Sequence, residues 1–271
     1  MNDESPIQAG QPLTIAQAIA NLDGEDLGLR GYAAWWLGKF RVNDPGAVSG
    51  LMAALSDGAD RTPEGGYPLR RAAARALGKL NALAAVPALI ECLDCTDFYV
   101  REAAIQALEM LGDPRCIPQL VKFLTTAIAD GQLLPDGADF SEPYDAILEA
   151  LGTLGATTAV PWIQPFLTHP IPRIEYAALR SMYQLTQDNT YGDRLVRALA
   201  HSDLQVRRAL LADLGAIGYL PAAVPISIAH AENSLKLIAL KGILEAQIAL
   251  SPFDRLSAGA VDVMQLMDGL L

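Results

Sequence analysis

Aromatic residues are scarce in this chain: Phe, Trp and Tyr make up 6% of its 271 residues, while apolar types together reach 51%. A core built from such material rests on Ala and Leu, which suits close, repetitive helix packing. Positive charge is also in short supply. Twenty Lys and Arg face 31 Asp and Glu, for a net charge of −11. That is the reverse of what a general nucleic-acid binder carries, although it leaves room for a local basic groove. The three cysteines, Cys92, Cys95 and Cys116, are too few for a disulfide scaffold and fit a reducing compartment. Cys92 and Cys95 form a C-x-x-C, but Cys116 stands alone and His169, His201 and His230 fall in separate segments, so no metal site is expected. No histidine has a nucleophile at readable spacing, and no phosphate-binding glycine loop follows a strand, because no strand is expected. One uncharged stretch, Leu214 to Ala231, is long enough to raise the question of a membrane span. Gly215, Gly218, Pro221 and Pro225 interrupt it, and membrane insertion is not expected. Residues 1–12 are polar, acidic and contain proline; they read as a disordered lead-in rather than a secretory leader, with a cytoplasmic location expected.

What is present is a repeat. An anchor residue is followed by Ala at the third place and by Leu and often Gly at the seventh and eighth, most clearly in Arg70, Ala73, Ala76, Leu77, Gly78. The anchors are Arg30, Arg70, Arg101, Tyr144, Glu175, Arg207 and Lys236, so successive steps are 40, 31, 43, 31, 32 and 29 residues. Apolar places three, six, seven and ten beyond each anchor form one stripe of an α-helix. Second apolar segments follow at Val48–Leu55, Val86–Leu93, Ile117–Leu124, Val160–Leu167, Leu195–Leu199 and Val224–Ile228. The pattern predicts an all-α solenoid of about seven HEAT-like helical hairpins, because a hairpin this small buries its apolar face only against its neighbours. One repeat domain is expected over 13–250. Thr14 and Gln17 have capping-box spacing and predict a helix start there. The apolar spacing of Leu256, Ala260, Val263, Met264, Met267 and Leu270 predicts a helical tail over 251–271, as a cap or a docking element.

The two long steps mark insertions, about Ser56–Tyr67 and Ala127–Pro143, at equivalent junctions that should lie on one rim. Long loops in an economical repeat point to function. Near the first of them the cluster Arg70, Arg71, Arg75, Lys79 is denser than a structural ladder requires, so part of it can meet ligand carboxylates. The plain structural role for the anchors is a ladder of ion pairs with Asp57, Asp94 and Asp113. Trp35 and Trp36 point about 100° apart on a helix. By register Trp36 takes the place of Ala76 and Ala107 in the core, leaving Trp35, with Tyr32 one turn before it, for a flat ligand or a partner.

Several segments carry a resemblance. Gly24–Arg30 with Tyr32-Ala33-Ala34-Trp35-Trp36-Leu37-Gly38, Gly65-Gly66-Tyr67-Pro68-Leu69-Arg70-Arg71, Phe98–Glu102, Tyr191–Leu195 and Glu232–Lys236 resemble the E-type (alpha) subunit of the heterodimeric phycobilin lyases, over residues 14–247. The resemblance implies a lyase that works with an F-type subunit and attaches phycocyanobilin, as a thioether, to a cysteine of the phycocyanin alpha apo-subunit. It also implies detachment or transfer of the same group. No cofactor is implied; phycocyanobilin is the substrate. A bilin carries two propionates, pyrrole N–H groups and an ethylidene that accepts a thiolate. The roles carried over are therefore Arg61, Arg70 and Arg71 for the propionates, Tyr32, Trp35 and Tyr67 as aromatic walls, and Asp60, Glu64 and Glu102 as acids toward the pyrroles. The other reading is a non-catalytic HEAT-repeat scaffold or chaperone for phycobiliprotein assembly or breakdown, since a repeat fold alone does not define chemistry.

Overall fold

The computed structural model describes residues 13–134, 142–250 and 255–271, and the expected lead-in over 1–12 lies outside them. The chain divides into two compact units, residues 1–116 and 117–271. In the first unit, α1 (Ile15–Asn21) precedes the pairs α2 (Leu27–Lys39) with α3 (Pro45–Ala54) and α4 (Pro68–Lys79) with α5 (Val86–Glu91), and α6 (Phe98–Leu111) closes it. The predicted capping box forms: Thr14 and Gln17 exchange bonds between side chain and backbone at the start of α1. The stripe helices stack directly, α4 lying between α2 and α6, while α3 packs on α1 and α4 and α5 packs on α6.

The second unit repeats the pattern with α7 (Ile117–Thr126), α8 (Tyr144–Thr153), α9 (Val160–Ile163), α10 (Pro172–Thr186), α11 (Asn189–Ala198), α12 (Leu204–Ala216), α13 (Ala223–Ile228) and α14 (Asn233–Ala249). The stripe helices α8, α10, α12 and α14 stack in sequence. The tail helix α15 (Ala258–Asp268) packs back on α13 and α14 and buries Ala260 and Val263; residues 251–254 of the predicted tail lie outside the described residues. The uncharged stretch is cut as expected: α12 stops at Ala216 and a turn of 3₁₀ helix covers Leu220–Ala222 before α13. No helix among the described residues is long and apolar enough to cross a membrane. One expectation failed. Ile128–Ala129 (β1) and Gln132–Leu133 (β2) form an antiparallel hairpin inside the second insertion. Asp130 and Gly131 both take positive φ, 51° and 76°, the geometry that an Asp-Gly turn supplies. Residues 135–141 of that insertion are outside the described set.

The Leu-Gly signature has a physical reason. Leu37, Leu77, Leu151 and Leu214 are fully buried. Three of the following glycines lie against the residue six places beyond the next anchor: a Cβ on Gly38 would meet the Ala76 Cα at 2.8 Å, on Gly78 the Ala107 Cα at 2.9 Å, and on Gly152 the Ser181 Cα at 2.8 Å. Gly215 meets Gly242 in the same register, where a Cβ on the latter would stand 2.4 Å from the Gly215 carbonyl oxygen. Side-chain-free contacts set the close spacing of the stack.

The anchors do more than form the predicted ladder. Arg30 does pair with Asp57 at 2.8 Å, but its Nε also donates to the Leu22 carbonyl at 2.8 Å. Arg70 donates to the carbonyls of Ser56 and Asp57, Arg101 to Cys95, Arg207 to His201 and Ser202, and Lys236 to Ser227. Ser227 lies in the last turn of α13 and the other acceptors lie in the turn that joins the preceding helix to the anchor's own, so the cations satisfy backbone carbonyls of those connections. Where Glu175 stands as anchor, it holds Arg194 at 2.7 Å, and Arg194 in turn reaches the Leu167 carbonyl at 2.8 Å. Tyr144 packs its ring 5.3 Å from that of Phe166. Asp113 takes Arg115, two residues on, rather than an anchor.

Candidate functional site

The first insertion is a tightly closed loop held against two stripe helices. The Thr62 N–H donates to the Gly66 carbonyl at 2.9 Å, the Gly66 N–H donates to the Thr62 hydroxyl at 3.0 Å, and Gly65 turns the chain at φ +90°. Tyr67, at the start of α4, has no side-chain cap of its own. Asp60 supplies one from within the loop, accepting the Leu69 N–H at 2.9 Å. Asp97 fixes the other side. One oxygen caps Tyr99 N–H at 2.8 Å and opens α6, and the other accepts the Tyr67 N–H at 2.7 Å. The loop is anchored below as well: Asp57 takes Arg30 and the Asp60 N–H, which together hold its carboxyl below the usual Asp value against the opposing effect of burial.

Two adjoining clefts result. The first, about 400 Å³, is lined by Thr62, Glu64, Tyr67, Arg71, Asp97 and Tyr99 among others. The second, about 330 Å³, has Trp35, Arg71, Arg75 and Lys79 on its sides and Ala34, Gly38, Ala72 and Ala76 as a small-residue floor. Arg71 and Pro68 line both, so the clefts form one groove across α2, α4 and the start of α6, within the first unit. Its aromatic rings are open to solvent: Tyr32 is 49% exposed, Trp35 47% and Tyr99 56%. Tyr32 and Trp35 lie 5.6 Å apart between centroids, and the Lys39 Nζ stands 5.5 Å above Trp35. The Arg71 guanidinium lies 5.7 Å from the Tyr99 ring, and Arg61 lies 5.5 Å from Tyr67. Rings and guanidinium groups in this arrangement present flat walls and fixed positive charge to a planar anion.

The nine sequence-derived candidates all fall in this unit, but with different freedom. Tyr32, Trp35, Tyr67, Arg71 and Glu64 face or flank the groove; Arg61 stands over Tyr67 at its edge. Arg70 lies under the Tyr67 ring at 4.1 Å and directs its donors to backbone carbonyls, so its first task is structural. Asp60 is likewise engaged as a cap. Glu102 lies 4.0 Å from Arg75, with a side chain only 12% exposed. Trp36 is half-buried, not a full core residue, and packs against Phe40 with the rings tilted, 5.0 Å between centroids; no stripe-helix glycine precedes it, only the seven-residue α1. Sequence reasoning overlooked Asp97 and Tyr99 as groove residues. Asp97 was readable as a helix N-cap, while its reach to Tyr67 was not.

Two of the three cysteines are quiet. Burial pushes the Cys92 and Cys116 thiols up to about 11, and the half-buried Cys95 lies beside Arg70. Thiols at that value are almost wholly protonated near neutrality and poor ligands or nucleophiles. Among the described residues no three His, Cys, Asp or Glu converge on a common point.

The fold is that of a HEAT-repeat protein, and comparison with known families agrees. HEAT repeats match residues 65–131 and 134–215, and the phycobilisome-lyase type of HEAT-like repeat, described as PBS lyase HEAT-like repeat, matches residues 29–57 around Trp35. Curated relatives include the phycocyanobilin lyase subunit alpha of Pseudanabaena tenuis, 60% identical with all of both chains covered, and that of a Nostoc species, 57% identical over 99% of this chain and 98% of the relative. A solved complex of CpcE and CpcF of phycocyanin lyase from Nostoc contains a chain 56% identical to this one, with TM-score 0.87 and complete coverage of both. The chain belongs to the phycocyanobilin lyase alpha-subunit family and is a bilin lyase subunit. The likeness runs through the tail beyond residue 247 as well, further than the sequence segments alone indicated.

Proposed function

We propose that this chain, paired with an F-type subunit, attaches phycocyanobilin through a thioether to a cysteine of the phycocyanin alpha apo-subunit, with the bilin held in the α2–α4–α6 groove. The observation that carries the placement is the coincidence of three things: exposed rings at Tyr32, Trp35 and Tyr99, cations at Arg61 and Arg71, and the PBS lyase HEAT-like repeat matched over residues 29–57. In the reaction the acceptor sulfur bonds to the outer carbon of the ethylidene, the C=C becomes a single bond, and the thiol proton ends on the ring carbon. No cofactor enters that balance. Much of the acceleration comes from holding bilin and thiol in one geometry. Protonation of the tetrapyrrole makes the ethylidene more electrophilic. Glu64 is the carboxyl placed to favour that form, because it lines the first cleft, whereas Asp60 is occupied as a cap and Glu102 sits beside Arg75. Tyr67 and Tyr99 wall the same cleft. Detachment and transfer are the same addition run backward. A cytoplasmic location goes with this reading.

The test is co-expression of the chain with its F-type partner, the phycocyanin alpha apo-subunit and phycocyanobilin. The expected product is an alpha-subunit band that survives denaturation and fluoresces with zinc. Bilin that washes away in denaturant contradicts the lyase reading and leaves the scaffold.

A further inference from the structure

The groove contains a charge arrangement that the fold itself does not need. Arg71, Arg75 and Lys79 stand at i, i+4 and i+8 on α4, one row along the second cleft. Like charges at this spacing repel and weaken a helix. Among the described residues, Arg71 and Lys79 make no ion pair, and Arg75 reaches a single carboxylate, Glu102, at 4.0 Å. Lys39 adds a fourth cation above Trp35 on the facing helix. By contrast Arg70, one place away, is spent on backbone carbonyls. In a protein of net charge −11, a cationic row with little carboxylate opposite it, beside Gly38, Ala34, Ala72 and Ala76, is a local positive field suited to an anionic ligand.

We infer that Arg71, Arg75 and Lys79 clamp the two carboxylates of a planar dicarboxylate, which, on the reading proposed above, is the propionate pair of the bilin. Guanidinium forks suit carboxylates, and a lysine at the end of the row adds a point charge that follows a flexible propionate. The small-residue floor lets a flat conjugated body lie against α2 and α4, with Trp35 as its side wall. Both propionates sit on the middle rings of the tetrapyrrole. Held over Arg75 and its neighbours, they leave one terminal ring toward Trp35 and the other toward Tyr67 and Tyr99. The row therefore sets orientation as well as affinity, and Arg75 and Lys79 belong to the site beside Arg71.

The experiment is a titration of the chain in complex with its F-type subunit by phycocyanobilin and by its dimethyl ester, read by the absorbance change, for wild type, Arg75→Gln, Lys79→Gln and the double variant. The clamp predicts that wild type prefers the free acid, that each substitution weakens acid binding by about tenfold, and that ester binding does not change. For Lys79→Gln the melting temperature should hold or rise, because repulsion in the row is relieved; Arg75→Gln also gives up the 4.0 Å contact with Glu102, so the acid-against-ester comparison is its readout. Variants that bind the acid as tightly as wild type, or lose acid and ester equally, overturn the clamp while leaving bilin binding in place. Loss of binding to the apo-phycocyanin alpha subunit with unchanged bilin affinity overturns it in favour of an acidic protein segment. Wild type that binds neither form overturns both the clamp and the bilin reading.

Discussion

Replacing Asp57 should loosen the loop that positions Tyr67, and the size of the effect distinguishes burial from mere proximity of charge. The Asp57 and Arg30 side chains are 9% and 10% exposed and meet at 2.8 Å. The same carboxylate accepts the Asp60 N–H at 2.8 Å, and Asp60 in turn caps α4 through Leu69. Removing one partner of a buried pair costs about 3–5 kcal/mol because the other charge is left uncompensated. Exposed pairs are worth about 0–1 kcal/mol. Asp57 lies in a surface insertion, so Asp57→Ala should fall between these limits, about 2–3 kcal/mol. At about 2–4 °C per kcal/mol for a chain of this size, the melting temperature drops by roughly 5–10 °C. Asp57→Asn, which keeps an acceptor for Asp60 but not the charge, should lose less. The folded-state carboxyl titrates below its unfolded value, so this stabilisation is complete above about pH 4 and is lost as pH falls through the lower, folded value. The assay is thermal unfolding followed by circular dichroism from pH 7 to pH 3, with Arg30→Met and the double variant completing a cycle. A shift under 2 °C for Asp57→Ala at pH 7, or a wild-type advantage that persists undiminished at pH 3, would refute the reasoning.

Other expectations follow from the same contacts. Arg115→Ala breaks a pair of the same 2.7–2.8 Å length but with Arg115 57% exposed, and should leave the melting temperature unchanged within error. Gly38→Val pushes a branched side chain against the Ala76 backbone 2.8 Å away and should cost about 2–3 kcal/mol by thermal melting; a wild-type melt would show that α2 and α4 are not so close. Native protein at pH 7.5 should expose one fast thiol to a disulfide reagent, Cys95, with Cys92 and Cys116 reacting only on unfolding; three equal rates would contradict this. Tyr99→Ala, at a 56% exposed position, should weaken bilin binding by up to about tenfold with no change in stability; unchanged binding removes Tyr99 from the groove wall.

The repeat was legible because its stripe and its Leu-Gly pair report helix period and helix spacing, both of which are local properties. Element ends were less so. Pro165 converts the second half of the predicted Val160–Leu167 helix to 3₁₀ geometry, and α11 begins at Asn189, six residues before its predicted start at Leu195, because Asp188 caps it. The anchors' positions were readable but their partners were not: a carbonyl acceptor has no residue-type signature, so sequence offers only the carboxylates nearby. Arg194 standing in for the acidic anchor Glu175 is invisible for the same reason. In the groove, Tyr32, Trp35 and Arg71 were accessible to reasoning from helix faces. Arg70 and Arg71 were not separable until the carbonyls of Ser56 and Asp57 showed where one of them goes. Asp97 and Tyr99 join the site because α6 stacks on α4, about thirty residues away in sequence from Tyr67.

The central claim is that the groove across α2, α4 and the start of α6 holds the bilin. A crystal structure of the chain bound to its F-type partner and phycocyanobilin tests it most directly. The account predicts tetrapyrrole density against Trp35, with propionates at Arg71 and Arg75 and a terminal ring between Tyr67 and Tyr99. Well-defined bilin density elsewhere, with this groove filled only by solvent, would contradict it.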